Sequence, residues 1–403
     1  MSSASTPVID PVELTQTLIR RPSVTPADAG AMDVLQRILE GLGFTCRRMP
    51  FEGPGGQGVH ARIENLYARR GTASPNLCFA GHTDVVPTGA ATGWSADPFL
   101  AEVKDGVLFG RGAVDMKGGI AAWVSAVAAV LADGERNGRE LGGSLSFLIT
   151  GDEEGPALHG TKRVVETLIA EGEVIDACVV GEPSSQAQLG DMIKIGRRGS
   201  LNTWITVHGK QGHVAYPQRA ANPAPVLVRL LSRLDTHALD NGYEAFQPSN
   251  LEITTIDIGN PATNVIPAEA KARLNTRFNP GHSGDSLMAW LNAEAARIET
   301  ETGLTITLEH MCSGEAFLTQ KGPFVSAVQD AVEAELGIRP EASTTGGTSD
   351  ARFIRALCPV LELGLVGVTM HQFDERVPTA EIEALAGVYR RVIEAVLTYP
   401  HHA

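Results

Sequence analysis

Short apolar runs alternate with amphipathic segments in the first half of the chain. Three such runs, Leu77 to Ala80, Leu145 to Thr150 and Ala177 to Val180, are separated by segments with helical periodicity. Near-continuous apolar runs predict strands that are buried on both faces, and helices between them predict a mostly parallel sheet. A capped helix is predicted near Gly118 to Ala132, between the first two runs. The pattern from Asp10 to Pro183 therefore predicts an α/β domain.

Beyond residue 200 the apolar and polar positions alternate in the way that is typical of half-buried strands. The order of elements is strand, helix, strand, strand, helix, strand, which is the split βαβ or ferredoxin-like arrangement. The predicted strands are Leu201 to His208, Leu251 to Ile258, Glu269 to Phe278 and Leu304 to His310, and the predicted helices are Asn222 to Leu234 and Asp285 to Thr300. This region is predicted to be a second, inserted α+β domain.

The α/β character then resumes. The pattern predicts a helix at Pro323 to Leu336, a buried strand at Pro359 to Leu363 and a terminal amphipathic helix at Glu381 to Leu397. We therefore expect a discontinuous first domain, residues 1–198 and 313–403, with the inserted domain at residues 199–312.

Composition narrows the class of protein. The 403 residues are 43% hydrophobic, which suits two domains with their own cores, and the net charge of −14 opposes nucleic-acid binding. Five cysteines without a C-x-x-C pair disfavour a disulfide framework or a thiolate zinc cluster and favour a reducing cytoplasm. Met1 to Pro11 lacks a signal-peptide pattern, and the apolar helix Ile120 to Ala132 is too short to span a bilayer. A cytoplasmic protein without membrane or nucleic-acid partners is expected.

Potential metal ligands end, or shortly follow, the apolar runs, and another lies just before a helix. They are His82 and Asp84, Asp152 to Glu154, Glu182, His371 and, before the helix, Asp115. Because strand ends and the starts of the following helices share one edge of an open α/β sheet, these side chains can converge. Two imidazoles and several carboxylates suit a pair of Zn²⁺ or similar ions with one bridging carboxylate. One such acid alone is more often a solvated turn or a helix cap, but their recurrence at strand ends favours a metal site.

Within this set, the three consecutive carboxylates Asp152 to Glu154 repel one another unless cations lie nearby. One acid would be a ligand and its neighbour would be free for proton transfer. Asp84 could accept the second ring N–H of a ligating His82 and fix its orientation.

Outside this set the signals are weaker. His213 lies in a glycine-containing loop and could be a mobile donor. The pair Arg197 and Arg198, and the segment Thr344 to Asp350, could each hold a carboxylate, or be a domain hinge and a capped helix start. Arg277, on a predicted strand of the inserted domain, is a further candidate.

Over essentially its whole length the chain resembles the M20 family of dinuclear zinc amidohydrolases and peptidases. The broad motifs are Gly81-His-Thr-Asp-Val-Val-Pro87, Gly110-Arg-Gly-Ala-Val-Asp-Met-Lys-Gly118 and Asp152-Glu-Glu-Gly155. Narrower motifs resemble those of the members that cleave succinyl amides, namely Gly181-Glu-Pro-Ser-Ser185, Gly196-Arg-Arg-Gly-Ser200, Gly209-Lys-Gln-Gly-His-Val-Ala-Tyr-Pro217, Asn264-Val-Ile-Pro267 and Thr345-Gly-Gly-Thr-Ser-Asp350.

The resemblance implies a role for each residue that matches a family motif. His82, Asp115 and Glu182 would hold one zinc ion, and Asp115, Glu154 and His371 the other, with Asp84 orienting His82. Glu153 would be the general base and later the general acid, and His213 would reach across a homodimer, formed by the inserted domain, to stabilise the oxyanion. Substrate contacts are implied for Arg198, Asn264, Arg277, Thr345, Gly346, Gly347 and Thr348.

The implied activity is hydrolysis of N-succinyl-LL-2,6-diaminopimelate to succinate and LL-2,6-diaminopimelate, in the diaminopimelate and lysine pathway. Two zinc ions per subunit are implied, and cobalt or manganese could substitute because they use the same ligands. An acetylornithine deacetylase or another aminoacylase would share this metal centre. A non-catalytic metal-binding scaffold is a further alternative, disfavoured because a scaffold has no use for an unliganded base such as Glu153.

Overall fold

The computed structural model describes residues 6–54 and 60–398, and the chain divides into two units. The first unit comprises Met1–Ile195, Thr319–Ser343 and Ser349–Ala403, and the second comprises Gly196–Leu318 and Thr344–Thr348. The predicted domain boundaries, which give residues 1–198, 199–312 and 313–403, remain a prediction.

The helices and strands are numbered in chain order. The helices are α1 (Pro11–Ile19), α2 (Ala31–Gly41), α3 (Gly118–Asn137), α4 (Thr161–Ala170), α5 (Pro223–Asp235), α6 (Gly284–Thr302), α7 (Pro323–Leu336), α8 (Ala351–Ile354) and α9 (Thr379–Thr398). The strands are β1 (Thr45–Arg48), β2 (Phe51–Pro54), β3 (His60–Ile63), β4 (Leu66–Arg70), β5 (Asn76–His82), β6 (Glu102–Lys104), β7 (Val107–Phe109), β8 (Ser144–Thr150), β9 (Ala177–Val180), β10 (Met192–Lys194), β11 (Gly196–Arg197), β12 (Gly199–His208), β13 (Gly212–His213), β14 (Asn250–Asp257), β15 (Val265–Ile266), β16 (Glu269–Phe278), β17 (Thr305–Gly314), β18 (Phe317–Leu318), β19 (Glu341–Ser343), β20 (Val360–Glu362) and β21 (Arg376–Pro378).

The first unit is built on a sheet with the strand order β1-β4-β8-β5-β9-β20-β10-β19. Its central strands β8, β5, β9 and β20 run parallel, and β4 and β1 pair antiparallel at one edge. Every residue of β5, β8 and β9 is buried, which explains why apolar residues predominate in them. The predicted α/β fold with a mostly parallel sheet is confirmed, and the carboxyl ends of β8, β5, β9 and β20 share one edge.

Helix α3 crosses the core of the first unit. The Trp123 ring lies 4.9 Å from the Phe79 ring of β5 and 4.9 Å from the Tyr389 ring of α9. With the turn before it, the helical segment 113–137 is long and apolar enough to cross a membrane, but 89% of its most apolar window is buried inside the fold. The helix predicted to be too short for a bilayer, Ile120 to Ala132, is thus longer than expected. Burial in the core accounts for its apolar character.

The second unit contains an antiparallel sheet with the strand order β14-β16-β12-β17. Helices α5 and α6 cover one face, where alternate residues of β12, such as Leu201, Ile205 and Val207, pack against Leu227 of α5 and Leu291 of α6. The chain order of these strands and helices is the predicted ferredoxin-like one, so this part of the fold prediction is confirmed.

Candidate metal centre

The shared edge of the parallel strands brings the predicted ligands together. His82 is the last residue of β5, Glu182 follows β9 by two residues, and Glu153 and Glu154 follow β8. Asp115 lies in the turn before α3, where its backbone leaves helical geometry at φ −119° and ψ 93°. That turn is entered through Gly112 at φ +85°, a position at which a Cβ atom would lie 2.9 Å from the Val85 side chain.

His371 comes from a separate turn between β20 and β21. Its backbone has φ +62°, and Asp374 in the same turn has φ +51°. Residues other than glycine adopt this left-handed region only when the surrounding structure holds them there. The His371 side chain is 48% exposed, whereas that of His82 is 1% exposed. The two histidines therefore face the centre from its open side and from its buried side.

The Asp115 carboxylate lies between the two imidazoles. Its Oδ1 is 3.1 Å from His82 Nε2, and its Oδ2 is 3.2 Å from His371 Nε2. Glu182 Oε1 is 3.6 Å from His82 Nε2, and Glu154 Oε1 is 2.8 Å from His371 Nε2. Two groups of potential ligand atoms result, His82 with Asp115 and Glu182, and Asp115 with Glu154 and His371, each with all atoms within 4.8 Å of one another. A third group of this kind, His82 with Glu153 and Glu154, overlaps them.

The ionisation of this cluster fits cation binding. Hydrogen bonds to Asp115 and Glu154 raise the pKa of His371 to about 10. Burial opposes charge on His82, yet the hydrogen bond to Asp115 and the charges of Glu182 and Asp115 raise its pKa well above the ordinary value. Burial also opposes charge on Asp115, but the two imidazoles hydrogen-bond it and lower its pKa. Positive charge is therefore favoured on both sides of Asp115.

The remaining acids are crowded. Burial raises the pKa of Glu153 well above its usual value, and the nearby charges of Asp350 and Glu154 add to the effect. Burial also raises the pKa of Glu182, with contributions from Asp115 and Glu153. Divalent cations relieve both effects, since they favour the ionised carboxylates. The donor set of imidazoles and carboxylates therefore suits zinc or a similar ion.

Asp84 connects two parts of the centre. His82 Nδ1 lies 2.9 Å from the main-chain oxygen of Asp84 and 3.7 Å from its carboxylate, which leaves Nε2 directed at Asp115. The Asp84 carboxylate accepts the backbone N–H groups of Glu153, at 3.3 Å, and Glu154, at 3.0 Å. Burial raises the pKa of this carboxyl to about 7. Sequence reasoning assigned the carboxylate to His82 alone and did not foresee its contacts with the Glu153 turn.

Other residues near the centre behave differently from their sequence signals. Asp152, the first of the three consecutive acids, accepts the backbone N–H of His159 at 2.9 Å and belongs to none of the ligand groups found among the described residues. Arg111 and Glu375, which sequence reasoning did not select, form a buried ion pair beside Asp115. The signal for Arg111 was its place in the Gly110 to Gly118 motif, and Glu375 had only its nearness to His371.

In the second unit, His213 and Asn264 are held together. Strand β13 pairs with β15, and the backbone N–H of Val214 donates to the Asn264 carbonyl at 3.1 Å. The exposed His213 ring accepts the Ala215 N–H at its Nδ1, at 3.1 Å, so that a proton on the neutral ring belongs on Nε2. His213 is thus arranged as a hydrogen-bond donor.

Arg198 and Arg277 form a second cluster in this unit. Arg198 Nη1 donates to Asn250 Oδ1 at 2.7 Å, and Asn250 pairs with Arg277 across β14 and β16. Arg277 Nε donates to Asn275 Oδ1 at 3.0 Å. Burial lowers the pKa of both guanidinium groups, and within the described ranges neither forms an ion pair with a carboxylate. Two cations with amide partners suit an anionic ligand.

Arg197 makes different contacts from those of its neighbour Arg198. Its Nη1 donates to the Thr345 carbonyl at 2.9 Å and lies against Gly346, whose φ is +105°. A side chain at residue 346 would collide with this guanidinium. Arg197 therefore fixes the loop Thr345 to Thr348, and this contact was not foreseen from the sequence.

Comparison with known proteins identifies the family. A model of peptidase family M20/M25/M40 matches residues 78–395. The chain belongs to the M20 family. Among curated M20 relatives, the succinyl-diaminopimelate desuccinylase of Caulobacter vibrioides is 64% identical over 385 residues, covering 96% of this chain and 95% of that protein. The protein of the same name from Rhodospirillum rubrum is 55% identical, covering 97% and 99%.

Solved M20 structures share the fold. The M20 metallo-carboxypeptidase of Sulfolobus solfataricus aligns with a TM-score of 0.78 at 16% identity, covering 97% of this chain and all of that one. The YXEP protein of Bacillus subtilis, described as a dinuclear metal binding peptidase, aligns with a TM-score of 0.69 at 16% identity, covering 96% and 98%. The chain is thus an M20 hydrolase with ligand groups suited to metal ions.

Proposed function

We propose that this M20 chain is a zinc-dependent amide hydrolase that converts N-succinyl-LL-2,6-diaminopimelate to succinate and LL-2,6-diaminopimelate, in diaminopimelate and lysine biosynthesis. The observation that carries the chemistry is the position of Asp115, which belongs to two ligand groups at once with Glu153 beside them. The substrate is supported by full-length identities of 62–64% with enzymes named for this reaction.

In this proposal each ligand group holds one zinc ion. His82, Asp115 and Glu182 hold the first, and Asp115, Glu154 and His371 hold the second. Support comes from the short distances from Asp115 to both imidazoles, 3.1 and 3.2 Å, and from the absence of thiolates in these groups. Cobalt or manganese would be accepted by the same donors.

Glu153 is the general base. Among the three acids that follow β8 it belongs to neither of the two groups that share Asp115, yet it lies close enough to His82 and Glu154 to share a group with them. Bound divalent ions would polarise the amide carbonyl and lower the pKa of the attacking water. Glu153 then removes the proton of that water and returns it to the leaving amine. Asp84, through the N–H groups of Glu153 and Glu154, fixes the position of the base.

The second unit supplies the contacts to the organic part of the substrate. His213 Nε2 donates to the oxyanion of the tetrahedral intermediate, in the active site of the partner in a homodimer formed by this unit. Arg198 and Arg277 bind substrate carboxylates, with Asn264 and the loop Thr345 to Thr348 as further contacts. The donor state of His213 and the carboxylate-free surroundings of the two arginines support these roles.

The proposed location is the cytoplasm, because the reaction belongs to amino-acid biosynthesis and because Cys78, Cys178 and Cys358 are buried free thiols, which suit a reducing compartment.

The decisive experiment compares hydrolysis of N-succinyl-LL-2,6-diaminopimelate and N-acetylornithine by the purified protein, with added zinc and after chelation. We expect turnover of the succinyl substrate alone, lost on chelation and restored by zinc. Preference for N-acetylornithine would leave the metal centre in place and reassign the substrate. Absence of turnover of either substrate, with two zinc ions measured per subunit, would favour the non-catalytic scaffold.

A further inference from the structure

Arg111 and Glu375 form a buried ion pair outside the ligand groups of the metal centre. Their side chains are 3% and 0% exposed, and Arg111 Nη1 lies 2.8 Å from Glu375 Oε2. A buried ion pair is maintained only when good geometry and additional hydrogen bonds offset the loss of water. Here the additional hydrogen-bond partners are backbone groups of the two segments that carry Asp115 and His371.

The pair supports the unusual backbone of Asp115. The N–H of Asp115 lies where the backbone leaves helical geometry, and a buried N–H without an acceptor is costly. Glu375 Oε1 accepts the N–H of Val114 at 2.9 Å and that of Asp115 at 3.2 Å. The Glu375 carboxylate therefore holds the conformation from which the Asp115 side chain contacts both imidazoles.

The pair also holds the turn of His371. Arg111 Nη1 donates to the carbonyl of Gln372, the residue directly after His371, at 3.2 Å. The main-chain carbonyl of Glu375 accepts the Gly110 N–H at 2.9 Å, so the turn is attached at a second point. These bonds stabilise the left-handed conformation of His371, which a residue other than glycine does not favour by itself.

The support is unequal between the two ligand groups. In the part of the chain that the structure describes, the pair hydrogen-bonds backbone at or next to Asp115 and His371, and no hydrogen bond joins it to His82 or Glu182. His82 ends the buried strand β5 and Glu182 follows the buried strand β9, so the sheet positions both.

We propose that Glu375, held by Arg111, is a positioning residue that sets the metal affinity of the group Asp115, Glu154 and His371 more than that of the group His82, Asp115 and Glu182. The inference rests on the proposed metal centre. Outer partners of metal ligands typically change metal affinity or activity about 10–100-fold when they are replaced.

The test is a calorimetric titration of metal-free protein with Zn²⁺ alone, carried out on the wild type and on Glu375→Gln. The glutamine keeps the size of the side chain and one acceptor oxygen, but its NH₂ group would face the Arg111 guanidinium, donor against donor. We expect two zinc equivalents on the wild type. In the variant, the second equivalent should bind about 10–100-fold more weakly. The first should weaken less, because the two groups share Asp115 but only the second contains His371.

A matched control is Glu173→Gln, which breaks the partly buried ion pair of Glu173 with Arg69 in the same unit, away from the ligand segments. Its two zinc affinities should equal those of the wild type. Unchanged binding of both equivalents by Glu375→Gln, or equal weakening of both, would overturn the positioning role. Failure of the wild type itself to bind zinc would instead overturn the proposed metal centre.

A second variant keeps the inference testable where Glu375→Gln does not fold. Arg111→Lys preserves the charge, but a single ammonium group cannot reproduce the planar fork that reaches both the Glu375 carboxylate and the Gln372 carbonyl. We expect it to weaken the second zinc equivalent selectively. If Arg111→Lys binds each zinc equivalent with the same affinity as the wild type does, the inference is contradicted in the same way.

Discussion

The two units gather charge of opposite sign. In the metal centre the carboxylates outnumber the imidazoles, and in the described part of the second unit no carboxylate forms an ion pair with Arg198 or Arg277. In the first unit, carboxylates crowd around two imidazoles, and burial raises the pKa of Glu153 and Glu182. In the second unit, Arg198 and Arg277 face amide oxygens, and burial lowers the pKa of both. Charges of one sign away from water are costly unless a ligand of the other sign joins them. The comparison supports the proposal that the first cluster binds cations and the second binds substrate carboxylates.

The two clusters also differ in how they are built. The ligands of the first unit follow the ends of parallel strands or lie in turns fastened by buried hydrogen bonds, and the Asp115 side chain is only 8% exposed. The functional candidates of the second unit lie on antiparallel strands and loops, and His213 is exposed. The first cluster is therefore buried and fixed by the fold, whereas the second includes an exposed side chain.

The largest expected effect is that of Glu153→Gln. The amide cannot accept the proton of the attacking water, so kcat should fall about 10²–10⁴-fold, the usual contribution of a general base. The two ligand groups that share Asp115 do not include Glu153, so zinc content should stay at the wild-type level. Steady-state kinetics together with metal analysis checks both parts.

Glu154→Gln is the matched control for that prediction. It makes the same chemical change one residue along the chain, at a proposed ligand whose Oε1 lies 2.8 Å from His371 Nε2. Zinc affinity should fall in this variant, and activity should recover partly with excess zinc. Full activity of Glu153→Gln, or loss of zinc from it, would contradict the assignment of Glu153 as the general base and Glu154 as a metal ligand.

The next effect belongs to the second unit. His213→Ala should lower kcat about 10²–10³-fold, which is typical for the loss of one oxyanion donor. Zinc content should not change. His208→Ala, at an exposed histidine of β12, is the control and should retain full activity.

Mixing His213→Ala with Glu153→Gln tests whether His213 acts in the partner's active site. After exchange of subunits, one site of each mixed dimer combines an intact Glu153 with an intact His213, so activity should rise above that of either parent. Activity that stays at the parental level would place His213 in its own subunit's reaction or outside the reaction.

Sequence reasoning succeeded where local pattern and chemistry coincide. The runs that became β5, β8 and β9 are fully buried, so apolar residues predominate in them, and the charged residues after them stood out. The ends of neighbouring parallel strands share an edge, which made the convergence of His82 and Glu182 foreseeable. The ferredoxin-like order was foreseeable for a similar reason, since one buried face gives alternating burial along β16 and along most of β12.

Sequence reasoning failed for residues whose role depends on contacts with distant parts of the chain. Glu375 is one acid in a polar turn, and its fully buried state depends on backbone groups more than two hundred residues away in the chain, as with Asp115. Arg197 and Arg198 are adjacent and chemically equal, yet one holds the Thr345 carbonyl and the other an asparagine. No local pattern separates such residues.

A smaller effect should follow replacement of the arginines of the second unit. Arg198→Gln and Arg277→Gln each remove a charge that the proposal directs at a substrate carboxylate. A charge-assisted hydrogen bond contributes about 1.5–3 kcal/mol, so kcat/KM should fall about 10–100-fold, mainly through KM. The control is Arg273→Gln, at an exposed position of β16, the strand that also carries Arg277. This variant should have little effect on kcat/KM. If all three variants behave alike, the cluster has no special role in substrate binding.

The smallest expected effect concerns stability, at an acid of the second unit that is satisfied internally. Asp240 accepts the N–H of Gly242 at 2.7 Å and the Asn279 side-chain amide at 2.8 Å. Burial raises the pKa of Asp240, but hydrogen bonds from Ser249, Gly242 and Asn279 outweigh it and lower the pKa to about 2. Unlike Glu153 and Glu182, whose pKa is raised by burial, this carboxylate has enough donors within the fold to lower its pKa.

Because the pKa in the folded state lies below the unfolded value of about 3.9, the ionised Asp240 stabilises the fold above pH 4, and this contribution is lost as the pH falls towards 2. Asp240→Asn should therefore cost about 1–2 kcal/mol near pH 6 and progressively less below pH 4. Urea unfolding of metal-free protein across this pH range measures the difference. A difference that does not vary with pH would mean that the charge of Asp240 is not what its donors stabilise. The contrast with the metal centre would then rest on hydrogen-bond geometry rather than on ionisation.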